Sequence, residues 1–536
     1  MKNYVFLFSF LIFRLFSFGQ HTQSTLDFNQ ASATILDEGV LFSQPNSSNL
    51  QPGYEIPKGS GINAIFTAGF WMGGLDQWGQ LFLAGQRFAQ TNQNDFYSGP
   101  YSTYHTYMDP SYIAKYSESI WSVTKAEIEF HAQHFQDPGY VIPTSIQNWP
   151  GNGDVMLGVA AQLAPFIDFN GNLLYEPQLG EFPDIRGDEA SYVIYNDDRP
   201  HLYTNGNSMR IEVHVMIYQF ASTDYLNETT FMNLRIFNRG ALSFANFKCG
   251  FFMDADVGGY NDDYVGCDST LNLMYTYNYD NTDSEYGINP PAIGAISLSH
   301  DLENMSYFTS TSAYPYNDPS PALEYWNFLN GMWANGFGFY YGGQGHGGTA
   351  ATSNIPTKFM FSGNPYTNQG WTEVSAQNPP GDRRSLMTLE DVQLNSHTQT
   401  CYDLAIIYNR QGNHLENVQG LLEVADSIQQ FYNVQVNYFN CDQVTADQTE
   451  ISPTEFYFEY DDNYKGDLVS LTMPISQKKY SYNSFPPFFD GLLPEGFMLE
   501  GLLKNTSIKP NDYFSQLLAV GGNLVGTITV KLEDEM

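Results

Sequence analysis

The sequence predicts a mainly β protein, and three observations support this class. Aromatic residues make up 16% of the 536 residues, which is too many for a disordered chain and typical of strands. Apolar and polar residues alternate in several segments, as in MRIEVHVMIYQF, where Ile211, Val213, Val215 and Ile217 share one side. Clusters of Gly, Pro, Asn and Ser separate these segments, as expected for turns between strands. The bulk of the chain is therefore predicted to be a multi-strand, β-rich domain.

Further strands and two helices follow along the chain. The segment 61–88 is predicted as strands interrupted at Gly73-Gly74 and at Trp78-Gly79, and strands are also predicted in TTFMNLRIFNRG, LNLMYTYNYD and TCYDLAIIYNRQG. TKAEIEFHAQHF predicts a helix with Thr124 as N-cap and Glu127 completing a capping box. HLENVQGLLEVADSIQQFYN has the apolar spacing of an amphipathic helix. No internal repeat of fixed period is present.

The charge balance excludes one class of partner. The chain has 58 acidic and 22 basic residues, which gives a net charge of −36. Such a surface repels phosphate backbones, so nucleic-acid binding is not expected. The same surface attracts cations such as calcium.

The amino terminus predicts export. A basic residue, Lys2, precedes an apolar run from Tyr4 to Phe13, and the small residues Ser17 and Gly19 follow. This order is typical of a secretory signal peptide, here residues 1–19. Arg14 interrupts the apolar run, and a membrane helix needs about 20 apolar residues, so we expect cleavage rather than a permanent anchor. The predicted localisation is secreted or cell-surface, with no membrane span after cleavage.

Four cysteines are candidates for disulfides in an exported protein: Cys249, Cys267, Cys401 and Cys441. The pairs 249–267 and 401–441 are the ones we favour, although four cysteines allow three connectivities. The chain contains no C-x-x-C, so a thiolate zinc site is not expected.

Two acidic clusters are candidate calcium sites. In DFNGNLLYEPQLGE, Asp168, Asn170 and Asn172 alternate around a glycine, and Glu176 or Glu181 would complete a shell of oxygen ligands. The match to an EF-hand loop is partial, because the glycine comes at position four.

The second cluster lies in DADVGGYNDDYVGCD. It offers a set of carboxylates around two glycines: Asp254, Asp256, Asp262, Asp263 and Asp268. Converging carboxylates repel one another, and a bound ion would relieve that repulsion.

Other interpretations of these acids remain open. Asp and Asn also cap their own backbone in solvated turns, which needs no ion. Paired acids are likewise found in glycosidases, but the sequence gives no carboxylate separation. His131 and His134 have a spacing that would suit a metal on one helix face, without the H-E-x-x-H pattern, and an ordinary helix role is simpler. The loop YYGGQGHGGTAAT does not match a phosphate-binding motif.

Roughly residues 20–445 resemble a family of large secreted proteins from Bacteroidota. The resemblance rests on GFWMGGLD, IWSVTKAEIEFHAQHFQDPGYVIPTSIQNWPGNGD, LAPFIDFNGNLLYEPQLGEFPDIRGDEA, DDYVGCDSTLNLMYTYN and NPPGDRRSLM. It implies an exported, β-rich ectodomain over 20–442, and the family offers no established enzymatic activity to carry over to this chain. Members commonly end in a sorting domain of the type IX secretion system, and none follows Cys441 here.

After a polar linker or fusion junction at 443–453, residues 454–536 predict a small α+β module. EFYFEY, LVSLTMPI and LVGTITVKL read as strands. FPPFFDGLLPEGFMLEGLLKNT and DYFSQLLAV read as helices, the second capped by Asn511-Asp512.

The C-terminal module resembles the N-terminal subdomain 1 of HipA-type serine/threonine kinase toxins, through FEYDDNY, SLTMP, PFFDGLLPEG and VGTITV. In full-length relatives a kinase core follows and holds the nucleotide, so here we expect no nucleotide cofactor and no kinase activity. In split toxin–antitoxin systems the subdomain is a separate protein that restrains a shortened kinase. The resemblance therefore implies a HipA-type kinase core as partner. The candidate contact residues are Phe488, Phe489, Leu492, Leu493 and Phe497, which would otherwise be core residues.

Three hypotheses follow from these two resemblances. The chain is a secreted, non-enzymatic binding or structural protein with a HipA-like tail, or a regulator of a HipA-type kinase with the ectodomain as passenger. The third hypothesis is a recombined gene that joins two unrelated halves near residue 450. A glycan-acting hydrolase is a distant fourth, because no complete catalytic set is evident.

Overall fold

The computed structural model describes residues 22–436, apart from 45–49, 87, 89–93, 118 and 350, and the strands 468–474, 513–520 and 523–531. The predicted signal peptide and most of the predicted C-terminal module lie outside the described residues. Strands joined by turns dominate the part that is described, which confirms the β-rich class for the body of the chain.

Six α-helices occur in the described residues. They are α1 Pro110–Tyr116, α2 Lys125–His134, α3 Thr144–Gln147, α4 Ala322–Leu329, α5 Glu373–Ala376 and α6 His414–Phe431. The predicted capping box of α2 is confirmed, because the Thr124 hydroxyl accepts from the Glu127 N–H and the Glu127 carboxylate accepts from the Thr124 N–H. The second predicted helix is confirmed as α6, and Asn413 is its N-cap.

The strands are numbered in chain order. In the first half they are β1 Gln23–Leu26, β2 Ser32–Leu36, β3 Val40–Leu41, β4 Ser43–Gln44, β5 Gln51–Pro52, β6 Tyr54–Glu55, β7 Asn63–Ile65, β8 Thr67–Leu75, β9 Leu81–Gly85, β10 Tyr97–Ser98, β11 Ile120–Thr124, β12 Phe166–Ile167, β13 Phe182–Pro183, β14 Glu189–Asn196, β15 Ile211–Gln219, β16 Thr230–Asn238 and β17 Phe244–Asp254. In the second half they are β18 Asp263–Asp268, β19 Leu273–Asn278, β20 Thr282–Asp283, β21 Gly287–Ile288, β22 Ala292–Ser297, β23 Leu302–Phe308, β24 Phe339–Tyr340, β25 Pro356–Thr357, β26 Arg384–Leu389, β27 Val392–Leu394, β28 Gln399–Asn409, β29 Leu468–Pro474, β30 Tyr513–Val520 and β31 Asn523–Lys531.

Two large antiparallel sheets form the body. The eleven-stranded sheet has the order β23-β26-β17-β8-β3-β2-β6-β7, with β1, β9 and β27 paired beside β2, β8 and β17. The nine-stranded sheet has the order β10-β14-β15-β16-β28-β22-β19-β18, with β11 paired to β14.

The nine-stranded sheet is buried on both faces. Ile211, Val213, Val215 and Ile217 of β15 share one face, as predicted, and belong to the apolar core that also contains the eleven-stranded sheet. The opposite face, with Tyr218 of the same strand, packs in a second core against α6 and the helices of residues 110–147. The body is therefore a sandwich of two sheets with a helical layer outside the second sheet.

The predicted strand break at Gly73-Gly74 is wrong. Strand β8 continues through both glycines and pairs with β9 on one side and β17 on the other. A Cβ at Gly74 would lie 2.8 Å from the Phe244 side chain, and one at Gly73 would lie 3.2 Å from Trp326 of α4. These glycines are needed for close packing, not for a turn. The turn predicted near Trp78-Gly79 is confirmed between β8 and β9.

The C-terminal strands form their own antiparallel sheet, in the order β29-β31-β30. Strands β29 and β31 coincide with two predicted strands. Residues 513–520, predicted as part of a helix, form strand β30. An apolar run of this length fits either element, because periodicity alone does not separate a short buried strand from a helix segment.

The predicted disulfide between Cys249 and Cys267 is not formed. Both are free, buried thiols, on β17 of the eleven-stranded sheet and β18 of the nine-stranded sheet. Burial raises the pKa of both thiols. Cys401 takes part in a disulfide, and Cys441 lies outside the described residues.

Within the described residues, none of the helices has both the length and the apolar character that crossing a membrane requires.

Candidate metal centre

One end of the eleven-stranded sheet concentrates acidic residues. Strand β17 ends at Asp254, which is the register partner of Arg384 at the start of β26. Asp256 follows in the connection to β18, and Asp382 directly precedes β26. The ladder between two adjacent antiparallel strands thus brings two distant stretches of sequence together.

Three carboxylates meet there, and we call Asp254, Asp256 and Asp382 the carboxylate cluster. Each offers an oxygen atom, and these three atoms all lie within 4.8 Å of one another. Asp254 is buried, whereas Asp256 and Asp382 are half-buried. The cluster is therefore anchored in the sheet and remains open to solvent on its other side.

One guanidinium group faces these acids. Arg384 Nε lies 3.3 Å from Asp254 Oδ2, its Nη2 lies 3.4 Å from Asp382 Oδ2, and its Nη1 donates to Asp318 Oδ2 at 2.5 Å. Within the described residues, the three carboxylates of the cluster and that of Asp318 thus face one guanidinium group.

Two carboxylate oxygens of the cluster have no hydrogen-bond donor among the described residues. The Oδ1 atoms of Asp254 and Asp382 are buried from solvent and accept no hydrogen bond in the structure. Buried carboxylate oxygens are normally satisfied by donors, water or an ion. Such oxygens in a partly open site are the donor atoms that a hard cation takes.

The electrostatics point in the same direction. Burial raises the pKa of Asp254 well above its usual range, with Asp256, Asp382 and Asp318 adding to the rise and Arg384 opposing it. Burial and the charge of Asp382 raise the pKa of Asp256 to about 7, again against Arg384. The charged form of the cluster is disfavoured unless a positive charge beyond that of Arg384 joins it.

The other acids predicted for the second calcium site lie outside this cluster. Asp263 starts β18 and accepts a hydrogen bond from the Val257 N–H at 3.2 Å. Asp268 accepts from the N–H and hydroxyl of Thr270, which is the turn-capping alternative. Asp262 is not among the three carboxylates that meet. The structure brings together Asp254 and Asp256 of the predicted set and adds Asp382, whose only signal in the sequence is its place in DRR before a strand.

The residues predicted for the first calcium site do come together, and we call residues 168–176 the acidic loop. Asp168 accepts from the N–H groups of Gly171 at 2.7 Å and Leu173 at 2.8 Å. Asn170 and Asn172 both donate from Nδ2 to Glu176 Oε2, at 3.1 and 2.6 Å. The loop thus satisfies its polar groups internally.

The buried Glu181 supports this loop from outside. It accepts from the N–H of Phe169 at 3.2 Å and from that of Glu176 at 2.7 Å. Burial, with the charges of Asp168 and Glu176, raises its pKa, while the two backbone hydrogen bonds oppose the rise. Glu181 therefore braces the backbone on which Asp168 and Glu176 lie.

The two histidines of α2 have separate partners. His131 is buried, with Nδ1 3.1 Å from the Tyr140 hydroxyl, and His134 Nδ1 lies 2.7 Å from Asp137 Oδ2 on the surface. These contacts fit the ordinary helix role. The predicted contact residues of the C-terminal module, Phe488, Phe489, Leu492, Leu493 and Phe497, lie outside the described residues.

A polar groove of about 760 Å³ lies beside α6. Acidic side chains of Asp224, Glu228, Glu416 and Glu423 line it together with tyrosines and amides. Its negative lining matches the acidic balance of the whole chain.

The fold and the acidic cluster define the body as an acidic β-sandwich protein with a candidate cation site. The C-terminal part has a family: the model of the HipA N-terminal domain matches residues 441–531. An uncharacterized protein of Haemophilus influenzae is 31% identical over 80 residues, which are 15% of this chain and 76% of that protein. The chain therefore belongs, through its C-terminal part, to the family of the HipA N-terminal domain. The resemblance of the body to secreted Bacteroidota proteins stays a prediction.

Two solved structures have a distant likeness to the chain. An amine oxidase of Aspergillus nidulans is 10% identical with a TM-score of 0.21, over 74% of this chain and 51% of the oxidase. A copper-containing benzylamine oxidase of Hansenula polymorpha is 9% identical with a TM-score of 0.21, over 74% of this chain and 62% of the oxidase. The chain thus spans less than two thirds of either enzyme, and a likeness of this size carries no argument about activity.

Proposed function

We propose that the chain is an exported, non-enzymatic, β-rich binding protein that carries a protein-interaction module of the HipA N-terminal type. The observation that carries the interaction role is the family match over residues 441–531. The predicted signal peptide at 1–19 supports export. The net charge of −36 supports a protein or cationic partner over a nucleic acid.

The partner proposed for the C-terminal module is a HipA-type kinase core. The proposed contact surface consists of Phe488, Phe489, Leu492, Leu493 and Phe497, since aromatic and large aliphatic side chains dominate the centres of protein interfaces.

The alternative proposal is a regulatory subunit whose main role is to restrain the kinase, with the body as a passenger. The same family match favours it, and the two proposals differ in compartment. A kinase needs ATP and acts inside the cell, whereas a signal peptide directs the chain outward. The site of the mature protein in the cell therefore separates them.

The interaction is tested by co-purification of the full chain with a HipA-type kinase core that lacks its own N-terminal subdomain. We expect a stoichiometric complex with the unaltered chain and loss of the complex in Leu492→Asp. The control is Glu423→Gln, which changes an exposed carboxylate on α6 and should leave binding unchanged. Absence of a complex with the unaltered chain would contradict the interaction role.

Circular dichroism of Leu492→Asp must match that of the unaltered chain, so that loss of binding is not loss of folding. Cell fractionation and N-terminal sequencing of the native protein then decide between the two proposals. A mature chain outside the cytoplasm that begins near residue 20 supports the exported protein, and an uncleaved cytoplasmic chain supports the regulatory subunit.

A further inference from the structure

Among the described residues, the carboxylate cluster has more negative charge than its neighbours compensate. Asp254, Asp256 and Asp382 share one guanidinium, and Asp318 draws on the same group. Like charges held this close repel strongly where the dielectric constant is low. The strands β17 and β26 fix Asp254 and Arg384 in register, so the sheet itself holds this repulsion in place.

We propose that Asp254, Asp256 and Asp382 bind one hard divalent cation, and that Ca²⁺ is the ion that fits. The inference is independent of the proposed function of the C-terminal module.

A second observation, beyond the clustering of acids, points to a ligand. Asp254 is only 3% exposed, and its Oδ1 accepts no hydrogen bond, while its Oδ2 faces Arg384. The Oδ1 of Asp382 is likewise buried and accepts no hydrogen bond. An oxygen atom of each of these residues lies within 4.8 Å of an oxygen of Asp256, which is the spacing of ligands around one ion. Asp254 and Asp382 thus each keep one buried oxygen for which the described residues offer no donor.

The ligand set decides the class of metal. All three ligands are carboxylates, and hard oxygen ligands suit Ca²⁺ and Mg²⁺, whereas Zn²⁺ sites favour nitrogen and sulfur. Asp256 and Asp382 lie outside the strands and are half-buried, so they can adjust to the six to eight ligands of a calcium ion. Mg²⁺ demands a stricter octahedron and keeps several of its waters. The remaining positions around Ca²⁺ would be taken by water on the open side.

Binding would join two segments that the sheet already brings near each other. Asp256 belongs to the connection between β17 and β18, and β18 belongs to the other large sheet. Asp382 belongs to the segment that enters β26. A cation between them would therefore link the ends of β17 and β26 in one sheet to the connection that leads to the other sheet, and it should raise the stability of the body.

The test is thermal unfolding of the full chain after removal of metal with EDTA and exchange into metal-free buffer. Ca²⁺ at about 100-fold above its dissociation constant should raise Tm by roughly 3 °C. In Asp256→Asn, the Ca²⁺ affinity should fall about tenfold or more, because one charged ligand is lost. Without metal, Asp256→Asn should melt higher than the unaltered chain, because it removes one of the like charges.

The control is Glu423→Gln on the exposed face of α6, which should keep the full Ca²⁺ response. Asp382→Asn serves as the second variant if Asp256→Asn does not fold, and it should show the same loss of affinity. The proposal is overturned if Ca²⁺ leaves Tm of the unaltered chain unchanged, or if Asp256→Asn and Asp382→Asn respond like the unaltered chain. An equal response to Mg²⁺ at the same concentration would overturn the assignment to Ca²⁺.

Discussion

The acidic loop and the carboxylate cluster contain similar residues but differ in how their carboxylate oxygens are satisfied. In the loop, Asp168 accepts two backbone N–H groups and Glu176 accepts from two asparagine amides. In the cluster, Asp254 and Asp382 each keep a buried oxygen that no donor of the described residues reaches. The loop is complete from its own chain, whereas the cluster calls for a positive ion.

The difference shows that spacing in sequence is a poor guide to a cation site in a β protein. The loop has the regular Asp-x-Asn-x-Asn spacing and uses it to cap its own turn. The third acid of the cluster, Asp382, directly precedes β26, the strand that pairs with β17. The backbone N–H groups of these two strands already donate to each other's carbonyl oxygens. The number of hydrogen-bond donors within reach decides which group of acids needs an ion.

The largest effect on stability should come from removing the Arg384 guanidinium, which faces the carboxylate cluster. Arg384→Met leaves the buried Asp254 and its neighbours without their positive partner and should lower the free energy of unfolding by about 3–5 kcal/mol in metal-free buffer. Ca²⁺ should restore part of this loss. Urea unfolding with and without Ca²⁺ measures both quantities.

The matched control is Lys115→Met, which breaks the exposed pair with Asp154 and should cost about 1 kcal/mol or less. An Arg384→Met effect as small as that of the control would remove the contrast between cluster and loop.

Asp197 is a buried carboxylate with its own cationic partner, His201, and this pair extends the comparison. Burial alone would lower the pKa of His201, but the hydrogen bond to Asp197 and the charge of Asp197 outweigh it and raise the pKa to about 9. Both ring nitrogens face carbonyl oxygens, of Leu83 at 2.7 Å and of Asp197 at 3.0 Å, which suits the doubly protonated ring. Asp197 therefore has a cationic partner in His201, whereas Asp254 shares Arg384 with Asp382 and Asp318.

The sign of the pH dependence follows from the raised pKa of His201. Its contribution to stability is complete below the ordinary value of 6.5 and is lost as the pH rises through about 9. The free energy of unfolding should fall by about 3 kcal/mol over this range. The fall should be absent in His201→Asn when both proteins are unfolded in urea with EDTA present. Parallel curves for the two proteins would show that His201 is neutral in the folded state.

Removing the central acid of the loop should have a smaller effect that does not depend on calcium. Asp168→Ala leaves the N–H groups of Gly171 and Leu173 without their acceptor and should cost about 2 kcal/mol. Urea unfolding should give the same loss with and without Ca²⁺. A loss that appears only in the presence of Ca²⁺ would place an ion in the loop.

The smallest effect is expected at the exposed amides of the loop. Asn170→Ala removes an exposed hydrogen bond to Glu176 and should change the free energy of unfolding by about 0.5 kcal/mol or less. Thermal unfolding against Asp168→Ala measures the difference. A cost as large as that of Asp168→Ala would mean that the amides, and not the backbone caps, hold the loop together.

Much of the fold could be predicted from local pattern. The alternation in β15 and the capping box of α2 specify strand and helix directly, because each depends on residues a few positions apart. Gly73 and Gly74 could not be interpreted correctly, since their role depends on Phe244 and Trp326 packing against β8 from elsewhere in the chain.

The candidate site was only half predictable for the same reason. Asp254 and Asp256 are two positions apart in the sequence, so their closeness in space could be predicted from the local sequence. Asp382 joins them only through the register of β17 with β26, which no local pattern fixes. The free thiols of Cys249 and Cys267 likewise depend on which sheet each strand enters.

The most direct test of the contrast is a calorimetric titration of the metal-free full chain with Ca²⁺, in the unaltered form and in the variants Asp382→Asn and Glu176→Gln. We predict that Asp382→Asn lowers the affinity for Ca²⁺ about tenfold or more and that Glu176→Gln leaves the affinity unchanged. An affinity that is unchanged in Asp382→Asn and lowered in Glu176→Gln would place the ion in the acidic loop and contradict the account.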